Sequence, residues 1–216
     1  MSDTDYSEFW DTALSEPYRN YWQALGEFID RFAAVEQHMQ NLLRHFSGTS
    51  DEVARVVFSG HRIKDGTDTL NRLLDARGLP RVKARLKPVF DQLGEINTTR
   101  NNIVHWGVVH DWASGIADSP GVIVTNKHLL QPGRTEQRYL VSMKDLSNMT
   151  LDLTKIGIHC NVEILREHIG RDIYRRALRE VLGASWSYKP PQRSAPPQRS
   201  PGKSPKRRRP PPASAE

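Results

Sequence analysis

The sequence contains one cysteine, Cys160, among 216 residues. A single thiol excludes an internal disulfide framework and any zinc site built from several cysteines. Long apolar runs are also missing, since no stretch approaches the roughly 18 consecutive apolar residues of a transmembrane helix. The first ten residues are polar and acidic, unlike the basic and apolar regions of a secretory leader. We therefore expect a soluble, cytoplasmic protein without disulfides and without membrane association.

Common catalytic motifs are missing as well. The sequence has no HExxH zinc motif, no glycine-rich phosphate loop and no nucleophile elbow of the GxSxG type. These absences argue against a zincin protease, a P-loop nucleotidase and an α/β-hydrolase. We expect neither a cofactor nor a metal.

Positive charge is concentrated at the C-terminus. Residues 189–216 hold eight Lys/Arg and one Glu, whereas residues 1–188 hold 23 basic and 24 acidic residues. Nine of the 14 prolines also lie in this segment. Such a composition cannot form a packed core, so we expect residues 187–216 to be a disordered basic tail. Its KRRR run is compatible with nonspecific RNA binding, with a localisation signal or with a solubility tail.

Before the tail, we expect an N-terminal extension, residues 1–20, and one helical domain, residues 21–186. Apolar side chains recur every three or four residues in segments typical of amphipathic helices, which cover residues 21–46, 51–77 and 81–105. Gly60 and Gly66 are expected to bend or split the second segment. Pro88 is expected to start or kink the main part of the third.

The period changes after Gly107. Three β-rich runs separated by turn residues predict a small antiparallel meander over residues 107–142. Ser142 and Asp145 have the spacing of a capping box for the last helix, with a break expected near Gly170. The fold class is therefore mainly α: an antiparallel helical bundle, with the meander inserted before the last helix and the tail following it.

The segment EINTTRNNIVHW, residues 95–106, carries the candidate site. Arg100, Asn101 and His105 lie near a predicted helix end, where Asn101 and His105 share a face. Arg100 and His105 project about 140° apart on an ideal helix, so the Arg100 head can approach the imidazole only where the helix ends or bends. A histidine transfers protons near neutral pH, and an arginine stabilises charge on a phosphate. Together they suit metal-free phosphodiester cleavage in which an RNA 2′-hydroxyl is the nucleophile.

The same residues have a structural explanation. The helix macrodipole alone favours a histidine at a helix C-terminus, and an arginine in an apolar stripe can simply pair with a buried acid. Glu36 interrupts the apolar stripe of the first helix, so we expect it to pair with Arg100 or, next, with Arg62. Either pairing would give Glu36 and Arg62 a supporting position behind the candidate site.

RNNIVH resembles the R-N-x-x-x-H signature of the HEPN superfamily, the higher eukaryote and prokaryote nucleotide-binding domains. The order of helices is also similar, and the resemblance covers roughly residues 20–180. It implies a HEPN-like bundle and a metal-independent endoribonuclease, often a toxin or an anti-phage effector with a neutralising antitoxin partner. Homodimers of this family bring two motifs into one cleft.

Carried over to this sequence, the resemblance implicates Arg100 as phosphate clamp, His105 as general acid or base, and Asn101 as a positioning residue. RNA is the implied substrate and a second copy of the chain the implied partner. The family also has inactive members, so the alternative is a catalytically silent module for dimerisation or for binding a partner or nucleotide. The β-meander departs from the minimal four-helix form, as either a dimer element or a specificity insert.

Overall fold

The helices and strands are taken from a computed structural model that describes residues 16–106, 108–109, 121–126, 138–166, 168–182 and 185–191. Within these residues the fold is mainly helical. In chain order the elements are α1 (Glu16–Ser47), α2 (Asp51–Phe58), α3 (Ile63–Ala76), α4 (Pro80–Trp106), β1 (Val108–Val109), β2 (Gly121–Thr125), β3 (Arg138–Ser142), α5 (Met143–Leu165) and α6 (Arg171–Leu182).

Helix α1 supplies one long side of the core. Its buried positions recur at helical spacing and comprise Tyr21, Phe28, Phe32, Val35, Met39, Leu42, Leu43 and Phe46. The helix begins at Glu16 rather than at residue 21, so the last five residues of the expected N-terminal extension belong to it. The rest of that extension, residues 1–15, lies outside the described residues.

The second predicted helix is two helices, with Gly60 in the break between α2 and α3. The Ser50 side chain caps α2 by accepting a hydrogen bond from Val53 N. Gly66, also expected to bend or split this segment, does not interrupt α3. It lies buried inside α3, where a Cβ would come within 3.0 Å of Met39 Cγ, so the glycine allows α3 to approach α1 closely.

Helix α4 runs without interruption from Pro80 to Trp106, with Pro88 inside it. Pro88 therefore neither begins nor ends a helix, although it removes one backbone N–H donor from the helical ladder. The proline at position 80 stands at the first helical residue, where a missing N–H costs nothing. Gly78 and Leu79 connect the end of α3 to Pro80, and Gly78 adopts a left-handed φ of 64° that stops the helix.

The three strands form an antiparallel sheet in the order β1-β2-β3. Val124 of β2 pairs with Val108 on one side and with Tyr139 on the other. A small antiparallel meander is thus confirmed, while its two connections, residues 110–120 and 127–137, lie outside the described residues. Two helices rather than one follow the meander, because the helical segment is interrupted between Leu165 and Arg171, beside Gly170.

Helices α4 and α5 run antiparallel. Arg85, early in α4, contacts Glu163 near the end of α5, whereas Gln92, farther along α4, contacts Asp152 earlier in α5. The expected capping box starts α5, since Ser142 Oγ accepts from Asp145 N and the Asp145 carboxylate accepts from Ser142 N. Helix α5 also packs along α1. None of the described helices combines the length and the apolarity needed to span a membrane.

The chain after α6 returns to the core. Residues 185–188, here named the C-terminal strap, lie against α4 and α5, and Tyr188 is buried. The Tyr188 hydroxyl shares a hydrogen bond of 2.7 Å with Thr99 Oγ1. The backbone carbonyl of Tyr188 accepts a hydrogen bond from Gln92 Nε2. The expected boundary between residues 186 and 187 is therefore wrong, because Ser187 and Tyr188 belong to the packed domain. Residues 192–216, where most of the expected disordered tail falls, lie outside the described residues.

Asp152 is the acceptor that holds the strap. Its side chain has no solvent exposure, and Oδ2 accepts from Ser187 N at 2.9 Å, Tyr188 N at 2.8 Å and Gln92 Nε2 at 3.0 Å. Lys155 Nζ lies 3.3 Å from Oδ1 and also donates to Ser185 O. A buried carboxylate is tolerated only when its lone pairs are satisfied, and the strap provides half of the donor residues.

Shortening the chain tests this docking. A chain ending at Pro191 should keep the unfolding free energy of the full chain, because it retains every described contact of the strap. A chain ending at Ala184 should lose at least about 3 kcal/mol, the usual cost of leaving a buried charge without its partners. Urea unfolding followed by circular dichroism measures both. Equal unfolding midpoints for the two shortened chains would contradict the role given to Asp152.

Candidate functional site

The predicted site lies in the last two turns of α4. Ile96, Thr99 and Ile103 are buried and hold this part of the helix against the core. Arg100 and Asn101 are half-buried, whereas the imidazole of His105 is exposed. The strap reaches the same turn, because Thr99, the neighbour of Arg100, is hydrogen-bonded to Tyr188.

The Arg100 guanidinium lies over an aromatic ring of α1. Its Cζ atom is 5.3 Å from the centroid of Phe32, within the range of a cation–π contact. Its Nη1 donates to Asn101 Oδ1 at 3.1 Å, so Asn101 orients the guanidinium. The Nε atom is buried and makes no hydrogen bond within the described part of the chain. A buried donor left unpaired costs about 1–3 kcal/mol, so an anion that reached it would be stabilised.

His105 is not brought to Arg100 within one chain. Among the described residues, neither Arg100 nor Asn101 forms a hydrogen bond with the imidazole. The helix does not end between them but continues to Trp106, and residues five apart on a helix project about 140° apart. A single copy thus presents the arginine toward α1 and the histidine toward solvent.

Glu36 does not pair with either expected arginine. It is half-buried, and no ion pair or hydrogen bond of its carboxylate occurs among the residues that the structure describes. Val35, rather than Glu36, fills the buried slot between Phe32 and Met39. Glu36 projects about 100° away from Val35, at the edge of the apolar stripe, where water can solvate the charge.

Arg62 also stands apart from the site. It is exposed and occupies the N-cap position of α3, where its side chain makes no capping hydrogen bond. The structure gives it no hydrogen bond to Arg100 or Glu36. The expected supporting position of Glu36 and Arg62 behind Arg100 is therefore wrong for a single chain.

A second polar cluster lies at the other end of α4. Arg85 makes a two-point contact with the buried Glu163 carboxylate, through Nε at 2.7 Å and Nη2 at 2.9 Å. The Tyr174 hydroxyl donates to the same carboxylate at 3.0 Å. Sequence reasoning missed this cluster. The available signal was Glu163 itself, which lies three residues after Cys160 on the buried face of α5.

The cluster shifts the titration of its members. The hydrogen bonds that Arg85 donates to Glu163 raise the pKa of Arg85, and burial, followed by the Glu163 charge, raises the pKa of Tyr174 to about 12. Burial raises the pKa of the Cys160 thiol to about 12 as well. Cys160 is therefore protonated at neutral pH and behaves as a packing residue on the buried face of α5.

His159 lies beside this cluster and is fully buried. Neither ring nitrogen has a hydrogen-bond partner in the described structure. Burial lowers the pKa of His159, and Arg85 acts in the same direction, while the Glu163 charge opposes both. The imidazole is thus held in its neutral form, because the charged form would be desolvated.

The shift of His159 predicts a pH dependence of stability. Its pKa in the folded state lies below the ordinary 6.5 of the unfolded state. Below about pH 6.5 the His159 imidazole is protonated in the unfolded chain but stays neutral in the folded chain. The free energy of unfolding should therefore fall with falling pH until the folded-state pKa is reached. Above about pH 6.5 His159 is neutral in both the folded and the unfolded chain, so it contributes nothing to the pH dependence of the unfolding free energy.

The measurement is urea unfolding at about pH 7.5 and pH 5.0, for the wild type and for His159→Leu. The variant should lose part of the decrease between the two pH values. His168→Leu, at an exposed histidine, is the matched control and should keep the full decrease. An identical pH dependence in all three proteins would show that His159 does not titrate as its burial implies.

Within the described ranges, no three His, Cys, Asp or Glu side chains converge into a set that could hold an ion. Comparisons with protein-family models, with curated proteins and with solved structures gave no match to this chain. The resemblance to the HEPN superfamily therefore depends on the RNNIVH motif and the order of the helices.

Proposed function

We propose that this protein is a metal-independent endoribonuclease of the HEPN type. The observation that supports it best is the state of the two motif side chains at the end of α4. The His105 imidazole is exposed, and the Arg100 guanidinium keeps a buried Nε without a hydrogen-bond partner in the described structure. The His105 imidazole can exchange protons with a substrate, and the Arg100 guanidinium has an N–H that can bind an anion.

The proposed step is an internal transesterification. The 2′-hydroxyl of one nucleotide attacks the adjacent phosphorus and gives its proton to a neutral His105. The bond from phosphorus to the 5′ oxygen of the next nucleotide breaks, and that oxygen takes a proton from a protonated His105. The products are a 2′,3′-cyclic phosphate and a 5′-hydroxyl. Arg100 stabilises the charge that grows on the phosphate oxygens.

This step needs two proton-transfer groups, and one chain supplies one motif histidine. A symmetric homodimer would provide the acceptor from one copy and the donor from the other. It would also allow the Arg100 of one copy to act with the His105 of its partner, which the single chain does not bring together. As in the family that the motif resembles, a toxin or anti-phage role with a neutralising antitoxin partner belongs to this proposal.

The alternative is a catalytically silent HEPN-like module that dimerises or binds a partner or nucleotide. One contact favours it. Arg100 packs over Phe32 and bonds to Asn101, so it has a structural use that requires no substrate. In that case Arg100→Ala would lower stability through lost packing, and His105→Ala would change nothing that can be measured on RNA.

Cleavage of a mixed RNA in EDTA separates the two functions. His105→Ala should lower the rate about 100-fold or more, the usual contribution of a general acid or base. Arg100→Lys should also be impaired, because lysine keeps the charge but loses the planar fork that binds two phosphate oxygens. His168→Ala, at an exposed histidine outside the motif, is the control and should cleave at the wild-type rate.

Two further readouts identify the chemistry. Products should end in a 2′,3′-cyclic phosphate, and a 2′-deoxy substitution at the scissile nucleotide should block cleavage. The melting temperature of His105→Ala should stay close to that of the wild type, because exposed side chains contribute little to stability. Equal cleavage of DNA, a requirement for magnesium, or full activity of His105→Ala would refute the proposed mechanism.

A further inference from the structure

Helix α6 carries a row of arginines on its exposed side. Arg171, Arg175 and Arg179 are spaced four residues apart and are all exposed, and they are named here the arginine face. On an ideal helix they fall within an arc of about 80° and extend over roughly 12 Å. The fourth arginine of the helix, Arg176, lies outside this arc, four residues from both Asp172 and Glu180.

No acid of the described residues pairs with the arginine face. None of its three guanidinium groups forms an ion pair or hydrogen bond within the described residues. The spacing of four residues is the one at which Lys64 and Lys87 pair with acids on α3 and α4. On α6 that spacing instead repeats the same charge, which costs stability unless an anion lies alongside.

A second side of α6, about 100° around the helix from Arg175, is already occupied. The Tyr174 hydroxyl donates to Glu163, and its ring contacts two guanidinium groups, with Arg85 Cζ at 5.9 Å and Arg166 Cζ at 5.7 Å from its centroid. Ala177 and Leu178, three and four residues later, are half-buried on the same side. A basic helix that binds a lipid bilayer needs its apolar side free to enter the membrane. Ile173 is 61% exposed, but the other apolar side chains of α6 that the structure describes are half-buried, so a hydrophilic polyanion fits the helix better than a bilayer.

We propose that the arginine face binds the phosphate backbone of the RNA that reaches the candidate site. Arginine binds phosphate oxygens at two points, and a row of three along one helix suits a chain of phosphates. Tyr174 contacts Arg85, which precedes Arg100 by 15 residues on α4, a helical distance of about 22 Å. This proposal rests on the proposed function for the identity of the nucleic acid, but the contact itself requires no cleavage.

Binding is measured on the full chain carrying His105→Ala, so that cleavage does not remove the probe. The probe is a fluorescent single-stranded RNA of mixed sequence, titrated at several salt concentrations between about 50 and 200 mM. Changing Arg171, Arg175 and Arg179 together to Gln should weaken binding about tenfold or more at the lowest salt. It should also reduce the slope of log affinity against log salt by roughly 2, near 0.7 for each lost phosphate contact.

The matched control changes Arg31, Arg55 and Arg81 to Gln. These arginines are exposed on α1, α2 and α4, so the control removes the same charge from other surfaces. The basic tail is present in every variant and therefore cancels in the comparison. Equal losses in the two triple variants would mean that only net charge matters, and no loss in the α6 variant would mean that the face is unused. Either result overturns the proposal.

A third variant separates charge from folding. Changing the three α6 arginines to Lys keeps the charge and should keep most of the salt slope, whereas a misfolded α6 would lose it in both α6 variants. Vesicles rich in phosphatidylserine form a parallel arm, and a stronger effect of the α6 substitutions on vesicles than on RNA would overturn the choice of nucleic acid. If His105→Ala still cleaves RNA, or nothing cleaves, while the α6 variants lose binding as expected, the proposed nuclease mechanism fails and the binding surface stands.

Discussion

The buried carboxylate of Asp152 is the interaction on which the arrangement of α4, α5 and the C-terminal strap depends. Burying an ionised carboxylate is costly unless its oxygens are fully engaged. Here the donors come from three different parts of the chain: Gln92 on α4, Lys155 on α5 itself, and the backbone N–H groups of Ser187 and Tyr188. Since none of these segments can satisfy the charge alone, the carboxylate fixes their relative positions.

This arrangement connects the strap with the motif. The turn of α4 that carries Arg100 has two contacts. Thr99 is hydrogen-bonded to Tyr188 of the strap, and Arg100 itself lies over Phe32 of α1. In the last turn the His105 side chain is exposed, whereas Ile103 stays buried against the core. A rigid arginine and an exposed histidine on one helix suit a site that is completed by another molecule, whether a second copy of the chain or a bound polyanion.

Local features of the fold could be predicted from the sequence. The Ser142–Asp145 capping box and the break at Gly60 depend on residues within a few positions of each other, and both are present. The strap could not be predicted, because its contacts join residues 96 apart and lie where prolines begin to dominate the composition. The error at Glu36 had a different origin: a period of three or four residues does not say which of two neighbours, Val35 or Glu36, lies at the centre of the stripe. The candidate site was found only because its motif is continuous in sequence, whereas the contact of Arg85 with Glu163 spans two helices and leaves no such signal.

The position of the strap also bears on the order of events during synthesis. Tyr188 is made after every helix of the described fold, and the partners it joins have by then been available for a long stretch of translation. Contacts between segments far apart in sequence form late, because the chain must first close a long loop. Until the strap arrives, Asp152 lacks its two backbone donors, so a nascent chain holds α4 and α5 together less firmly than the finished protein. Completion of the domain, and with it the fixed position of the Arg100 turn, is thereby postponed until residues 185–188 have been synthesised.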